Sequence, residues 1–214
     1  MKYLNLAFPT PEENLACDEA LLENAEAGKS GEALRFWEPA QYFVVLGYSN
    51  KAESEVNMAF TEEKKIPILR RSSGGGTVLQ GPGCLNYSLI LEMDRAKELT
   101  NLVKTNGYIL NKHEEALQPL LKNKIEVRGI SDLAIDSMKF SGNAQRRKKN
   151  FLLYHGTFLL DMNLDLIEQV LRFPTKQPDY RKNRSHSDFL TNIDITAIKI
   201  KRALQNCWSA QENQ

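Results

Sequence analysis

The hydrophobic positions change period several times along the chain, and each change marks an element. Leu15, Ala16, Ala20, Leu21 and Leu22 recur at helical spacing. The preceding Thr10-Pro11-Glu12-Glu13 supplies a capping residue, a proline at the first helical position and two acids in the first turn, so a helix is expected to start there and to end at Gly28 to Gly31. Residues 33–37 and 42–47 read as strands joined by a turn at Glu38-Pro39-Ala40. Residues 54–65 read as a helix and 66–69 as a short strand. Leu85, Tyr87, Leu89 and Leu91 alternate, with Val78 upstream, and predict a strand over 85–91. Residues 94–121 support one long helix or two, with Gly107 as the break. Residues 125–127, 133–135, 139–146 and 151–160 read as strands, the last two flanking the basic tip Arg146-Arg147-Lys148-Lys149-Asn150. A short helix over 165–172, a polar, basic, proline-broken loop over 174–187 and an amphipathic helix over 195–207 follow, and 209–214 is expected to fray.

Strands and helices interleave irregularly, several joined by hairpin-length turns. The expected fold class is therefore α/β (α+β): a mixed, largely antiparallel sheet with packed helices, rather than a doubly wound parallel sheet. Composition adds bounds. The 214 residues, 42% apolar and 26% charged, suit one ordinary globular domain over 1–214. A net charge of +1 gives no reason to expect a nucleic-acid or membrane-surface partner. Cys17, Cys84 and Cys207 are too few and too far apart for a disulfide framework or a zinc pattern. The apolar run before Pro9 is too short for a signal peptide, and no stretch reaches the ~18 apolar residues that span a bilayer. A reducing cytoplasm is the expected address.

Three stretches carry candidate chemistry. In Arg70-Arg71-Ser72-Ser73-Gly74-Gly75-Gly76-Thr77-Val78, two guanidinium forks run into three glycines, as an anion-binding loop requires. It is neither a P-loop nor a dinucleotide fingerprint, since no Gly-Lys-Ser/Thr follows and the glycines are contiguous. In Ser131-Asp132-Leu133 through Lys139-Phe140-Ser141-Gly142-Asn143-Ala144-Gln145, a polar turn sets Lys139 just after a hairpin, where its ammonium can meet a carboxylate or phosphate oxygen. His155-Gly156 interrupts an apolar strand, in the setting of a hydrogen-bonded structural histidine. Cys84 is the thiol nearest the glycine loop, with no histidine beside it in sequence.

These stretches, in this order, resemble the lipoate–protein ligase A family within the biotin/lipoate ligase and octanoyltransferase superfamily. Asn14-Leu15-Ala16-Cys17-Asp18-Glu19-Ala20-Leu21-Leu22 is similar to its opening helix. Leu34-Arg35-Phe36-Trp37 and Val44-Val45-Leu46-Gly47 are similar to its first strand pair. The glycine loop, the Ser131 to Gln145 stretch and His155-Gly156-Thr157-Phe158-Leu159 are similar to its three site motifs. The resemblance implies the superfamily's catalytic-domain fold without the accessory C-terminal domain of longer ligases. It also implies a two-step reaction, in which lipoate and ATP, with Mg²⁺, form lipoyl-AMP and the acyl group passes to a lysine of a carrier domain. On that pattern Lys139 is catalytic, and Arg70, Arg71, Ser73, Gly74, Gly75, Gly76, Val78, Asn86, Asp132, Ser141, Gly142 and Ala144 bind the acyl-adenylate. Gly75, Gly76, His155 and Gly156 line the acyl chain, and Asp132 is a candidate to position the metal ion. A separate accessory subunit for adenylation is a further implied partner. Two alternatives stand beside this reading: an octanoyl or lipoyl transferase working through a thioester on Cys84, and a non-catalytic lipoate-binding scaffold.

Overall fold

The computed structural model describes residues 1–174 and 176–211. In chain order the elements are β1 (Lys2–Asn5), α1 (Pro11–Glu26), β2 (Ala33–Trp37), β3 (Phe43–Leu46), α2 (Ala52–Glu55), α3 (Met58–Glu63), β4 (Ile68–Arg70), β5 (Val78–Gln80), β6 (Cys84–Glu92), α4 (Leu102–Leu117), β7 (Ile125–Arg128), β8 (Asp132–Ile135), β9 (Met138–Arg147), β10 (Phe151–Leu159), α5 (Leu164–Val170), α6 (His186–Phe189) and α7 (Ala197–Cys207). Seven strands form one sheet, in the order β1-β2-β6-β10-β9-β8-β7, and β4-β3-β5 form a second. Among these strands β1/β2 and β3/β4 pair in parallel and the other pairs are antiparallel. The mixed, largely antiparallel sheet is as the interleaving implies, but it is divided in two. Residues 38–42 are therefore not a hairpin turn: they carry the chain from the large sheet to the small one.

Alternation along the central strands assigns the two faces of the large sheet. Leu34, Phe36, Leu85, Tyr87, Leu89, Leu91, Tyr154 and Phe158 pack with Ile109, Leu110 and Leu117 of α4 and Ile200 and Leu204 of α7. The opposite face packs Ala33, Ile90 and Leu153 against Leu22 and Ala25 of α1. Helix α1 starts at the expected cap: the Glu13 amide donates to Thr10 Oγ1, and the Thr10 amide donates to the Glu13 carboxylate. Its inward stripe, however, is Pro11, Asn14, Asp18, Leu22 and Ala25, while Ala16 and Ala20 face solvent. The reason is Arg35 of β2, wholly buried under the helix, which needs polar partners there.

Other boundaries moved for local reasons. The helix expected over 54–65 is two short helices, separated where Val56 adopts extended geometry and Asn57 caps the second. The 94–121 region opens with two 3-10 turns, and α4 then runs unbroken through Gly107, a position with open space around it. Strands β1 and β5, too short to show a period, were not anticipated. Residues 209–211 do not fray: the Tyr3 amide donates to the Gln211 carbonyl and the Gln211 amide to that of Met1. The expectation for 212–214 lies outside the described residues. Among those described, no helix is long and apolar enough to cross a membrane.

His113 of α4 is wholly buried in the α4/α7 core. Its Nε2 accepts Trp208 Nε1–H at 3.0 Å, its Nδ1 has no partner, and burial pushes the imidazole down to about 3. Between about 3 and the ordinary value near 6.5, the unfolded chain holds a proton that the folded one excludes, so stability rises with pH across that window. Urea midpoints are expected to fall on acidification below pH 6.5, by up to roughly 4 kcal/mol of unfolding free energy. A His113→Gln variant, which keeps an acceptor for Trp208, should lose that part of the slope.

Candidate functional site

Strand register builds the floor of the site from two rows of side chains. One row crosses β2, β6, β10 and β9 as Arg35, Ser88, His155 and Ala144. The next crosses five strands as Trp37, Asn86, Thr157, Gly142 and Asp132. The rows are two residues apart along each strand and so share a face, which α1 covers only at one end. The small sheet, the glycine loop and the segment around Tyr180 stand over the remainder. Together they bound a cavity of about 1260 Å³. Gly75, Gly76, Val78, Asn86, Asp132, Lys139, Ser141, Gly142, Ala144, His155 and Gly156 of the sequence-based set line it, as does Arg71. Arg70, Ser73, Gly74 and Cys84 are not on its wall.

The two arginines hold the loops in shape. Arg70 Nη1 donates to the carbonyls of Gly47, Tyr48 and Asn50. Arg71 donates to the carbonyls of Gly74, Gly76 and Val45 and to Ser73 Oγ, and burial pulls it down to about 10, still a cation near neutrality. Gly75 has φ +93°, a conformation that favours glycine, and a Cβ there would also crowd Arg71 Nη2 at 3.0 Å. With the loop carbonyls turned onto Arg71, the amides of Gly74, Gly75 and Gly76 meet no backbone acceptor among the described residues. Free backbone amides on a concave turn make an anion cradle.

Lys139 lines the same cavity. The β8–β9 hairpin turns through Asp136 and Ser137, both at positive φ, and returns Lys139 to the cavity two residues later. Its Nζ pairs with Asp132 Oδ1 at 2.7 Å, over Gly142, where a Cβ would come within 2.6 Å of Nζ. Asp132 Oδ2 accepts the Tyr180 hydroxyl at 2.9 Å; burial and the Asp132 charge push that phenol upward, so it stays protonated and donates. The amide of Thr191 donates to the Lys139 carbonyl. The stretch expected as a loop over 174–187 thus meets the site through Tyr180, and it contains a 3-10 turn at Asp179–Arg181 and the start of α6 at His186–Phe189. Arg181 is buried, its guanidinium over the rings of Phe173 and Phe189.

Several wall residues were not foreseen. Gln80 and Thr157 form a closed ring with Asn86: Asn86 Nδ2 donates to Gln80 Oε1 (2.8 Å), Gln80 Nε2 to Thr157 Oγ1 (3.1 Å), and Thr157 to Asn86 Oδ1 (2.5 Å). Asp18 also reaches the cavity, 3.5 Å from His155 Nδ1. A sequence signal for Asp18 existed: with Asn14, Leu22 and Ala25 it keeps helical spacing, a polar pair inside a buried stripe. Tyr180 left none, since its contact depends on tertiary placement. Among the described residues no cluster of three acidic, histidine or cysteine side chains could hold a metal ion. None of the three cysteines is on the cavity wall. Cys84 is buried against Val44, Leu79 and Leu159, and burial pushes its thiol up to about 11; burial raises Cys17 and Cys207 as well.

The two-sheet fold that carries this cavity is also that of solved lipoate protein ligases. The chain superposes with a TM-score of 0.81 on the bi-partite lipoate protein ligase from Thermoplasma acidophilum, whose structural study includes its E2 lipoyl domain; 100% of this chain and 85% of that one are covered at 22% identity. Residues 10–205 match the model of the lipoyl protein ligase A/B catalytic domain, and the chain belongs to that family. Curated relatives fall on both sides of the family. The chain is 29% identical over 204 residues to octanoyltransferase LipM of Brevibacillus brevis, covering 84% of this chain and 73% of that protein. It is 32% identical over 173 residues to lipoate–protein ligase 1 of Staphylococcus aureus, covering 80% of this chain and 50% of the ligase. The chain thus spans about half the length of that ligase.

Proposed function

We propose that the chain acts as a lipoate–protein ligase: it activates lipoate with ATP to lipoyl-AMP and passes the lipoyl group to a lysine of a carrier domain. The observation that carries this choice over the thioester route is the absence of a thiol from the cavity wall, together with loop amides without a backbone acceptor on a wall that Lys139 shares. A thioester needs an exposed, low-pKa cysteine. A mixed anhydride needs donors for phosphate oxygens and a cation near the reacting carbonyl.

On this reading the Gly75 and Gly76 amides bind phosphate oxygens, and Lys139, leaving its Asp132 partner, neutralises the charge that develops between carbonyl and phosphate. The apolar wall of Leu15, Trp37, Val45 and Val78 takes the acyl chain. Mg²⁺ fits as an ion carried by the phosphates, since it keeps several waters and asks for only one or two carboxylates. Asp132 is the candidate ligand, and the ion would supply charge neutralisation. The acceptor is a lipoyl carrier domain, as the E2 lipoyl domain studied with the Thermoplasma protein suggests. A separate subunit assisting adenylation belongs to the same proposal, as does a cytoplasmic setting. The test is a cysteine-free variant (Cys17→Ala, Cys84→Ala, Cys207→Ala) given lipoate and ATP, with carrier lipoylation read by mass spectrometry. Transfer should persist at the wild-type level. Its loss in a folded variant would return the reaction to a thioester.

A further inference from the structure

A chain of buried side chains runs from the underside of α1 to the glycine loop, and the proposed reaction makes no direct use of it. Arg35 is fully buried. Its Nε donates to the Leu6 carbonyl (3.0 Å), Nη1 to the Asn14 carbonyl (2.9 Å) and Nη2 to Asn14 Oδ1 (2.6 Å). Nη1 also pairs with Asp18 Oδ1 at 2.6 Å. The second Asp18 oxygen faces His155 Nδ1 at 3.5 Å. His155 Nε2 lies 2.6 Å from Ser73 Oγ, which accepts Arg71 Nε–H at 3.0 Å.

Proton accounting gives this chain a direction. Burial pushes the Asp18 carboxyl up, but His155 and the Arg35 guanidinium outweigh burial and hold it below the usual carboxylate range. Asp18 is therefore an acceptor only, and the ring nitrogen facing it carries a proton. Ser73 is fully buried, so its hydroxyl hydrogen needs a protein acceptor. Nε2 of a neutral imidazole is that acceptor. The Ser73 lone pairs are then left for Arg71, whose remaining donors hold the Gly74 and Gly76 carbonyls.

We infer that Asp18 is a positioning residue. Through His155 it fixes the imidazole tautomer that orients Ser73 towards Arg71, and so holds the glycine loop with its amides free for phosphate. This deepens the acyl-adenylate reading and rests on it. The order Ser73–His155–Asp18 is also that of a hydrolase triad. Ser73 does not serve as a nucleophile, because it is buried, lies off the cavity wall, and its oxygen already accepts from Arg71.

The test is ¹⁵N-imidazole NMR of the ligand-free full chain at pH 7.5. The chain has three histidines, so assignment by single His→Gln variants is direct. Wild type should show His155 neutral and protonated at Nδ1. Asp18→Asn sets an amide donor against Nδ1 and should convert the ring to the Nε2–H tautomer, with kcat for carrier lipoylation down roughly tenfold. Ser73→Ala leaves Asp18 and Arg35 untouched and so keeps the test open if Asp18→Asn does not fold. It should preserve the Nδ1–H tautomer, release Nε2 from its hydrogen bond and lower kcat by a similar factor. The double variant should be no worse than the poorer single one. A His155 that is doubly protonated or Nε2–H in wild type, a tautomer unmoved by Asp18→Asn, multiplying effects in the double variant, or fluorophosphonate labelling of Ser73 would each overturn the inference. A wild type with the stated tautomer but no ATP-dependent transfer would overturn the acyl-adenylate reading alone, because the spectrum requires no substrate.

Discussion

Alanine in place of Lys139 is expected to reduce carrier lipoylation by a factor on the order of 10²–10³ while the chain stays folded. The ammonium is the cation that the β8–β9 turn delivers to the cavity, and Gly142 leaves it room to swing from Asp132 towards a ligand. Two effects need separating, because Lys139→Ala also strands the mostly buried Asp132 carboxylate, which then keeps only Tyr180 as a partner. The double variant Lys139→Ala/Asp132→Asn removes the stranded charge and should recover thermal stability without recovering transfer. Transfer at wild-type rate in either variant would contradict the role given to Lys139.

Gly156→Ala is expected to be the most damaging single methyl at the site. A Cβ there would lie 1.8 Å from Asn143 Oδ1 and 2.9 Å from the Gly142 carbonyl. Asn143 has nowhere to go: its Oδ1 accepts the Tyr87 hydroxyl at 2.6 Å and its Nδ2 donates to the Ser131 carbonyl at 2.8 Å. Moving it orphans Tyr87, a fully buried phenol that stacks on Phe158 and meets the edge of His113. Overpacking plus a lost buried hydrogen bond should cost roughly 3 kcal/mol, a fall in Tm of about 6–12 °C. Transfer should fall with it, since β9 carries both Lys139 and Gly142. A variant melting within a degree of wild type would show that Asn143 can yield. Gly76→Ala is the contrast, because a Cβ at Gly76 meets nothing within 4 Å and the melting temperature should hold.

The residues that the sequence exposes most clearly are those whose chemistry is local. Three contiguous glycines after two arginines can be read as a loop because their backbone freedom is written in the residues themselves, and the Asp136-Ser137 turn shows in the switch between two alternating runs. What stayed hidden depends on partners distant in sequence. The forks of Arg70 and Arg71 read as phosphate ligands, yet in the fold they bind carbonyls, because a loop with three glycines needs something to hold it. His155-Gly156 reads as one pocket feature. The register separates them: His155 faces α1, and the missing Gly156 side chain makes room for Asn143. The division into two sheets was invisible because β3, β4 and β5 are three or four residues long, too short for any period. The basic 174–187 stretch read only as a polar loop because nothing in its composition marks Tyr180 and Arg181 as buried.

The central claim is that the cavity handles an acyl-adenylate rather than an enzyme-bound thioester. Its most direct measurement is the intact mass of a lipoyl carrier domain incubated with the full chain and, separately, with synthetic lipoyl-AMP or with octanoyl–acyl carrier protein as the acyl donor. The account predicts that lipoyl-AMP alone adds one lipoyl group to the carrier, with AMP released and no covalent acyl-enzyme at any time. Acylation from octanoyl–acyl carrier protein, with the acyl group trapped on a cysteine of this chain and no transfer from lipoyl-AMP, would contradict it.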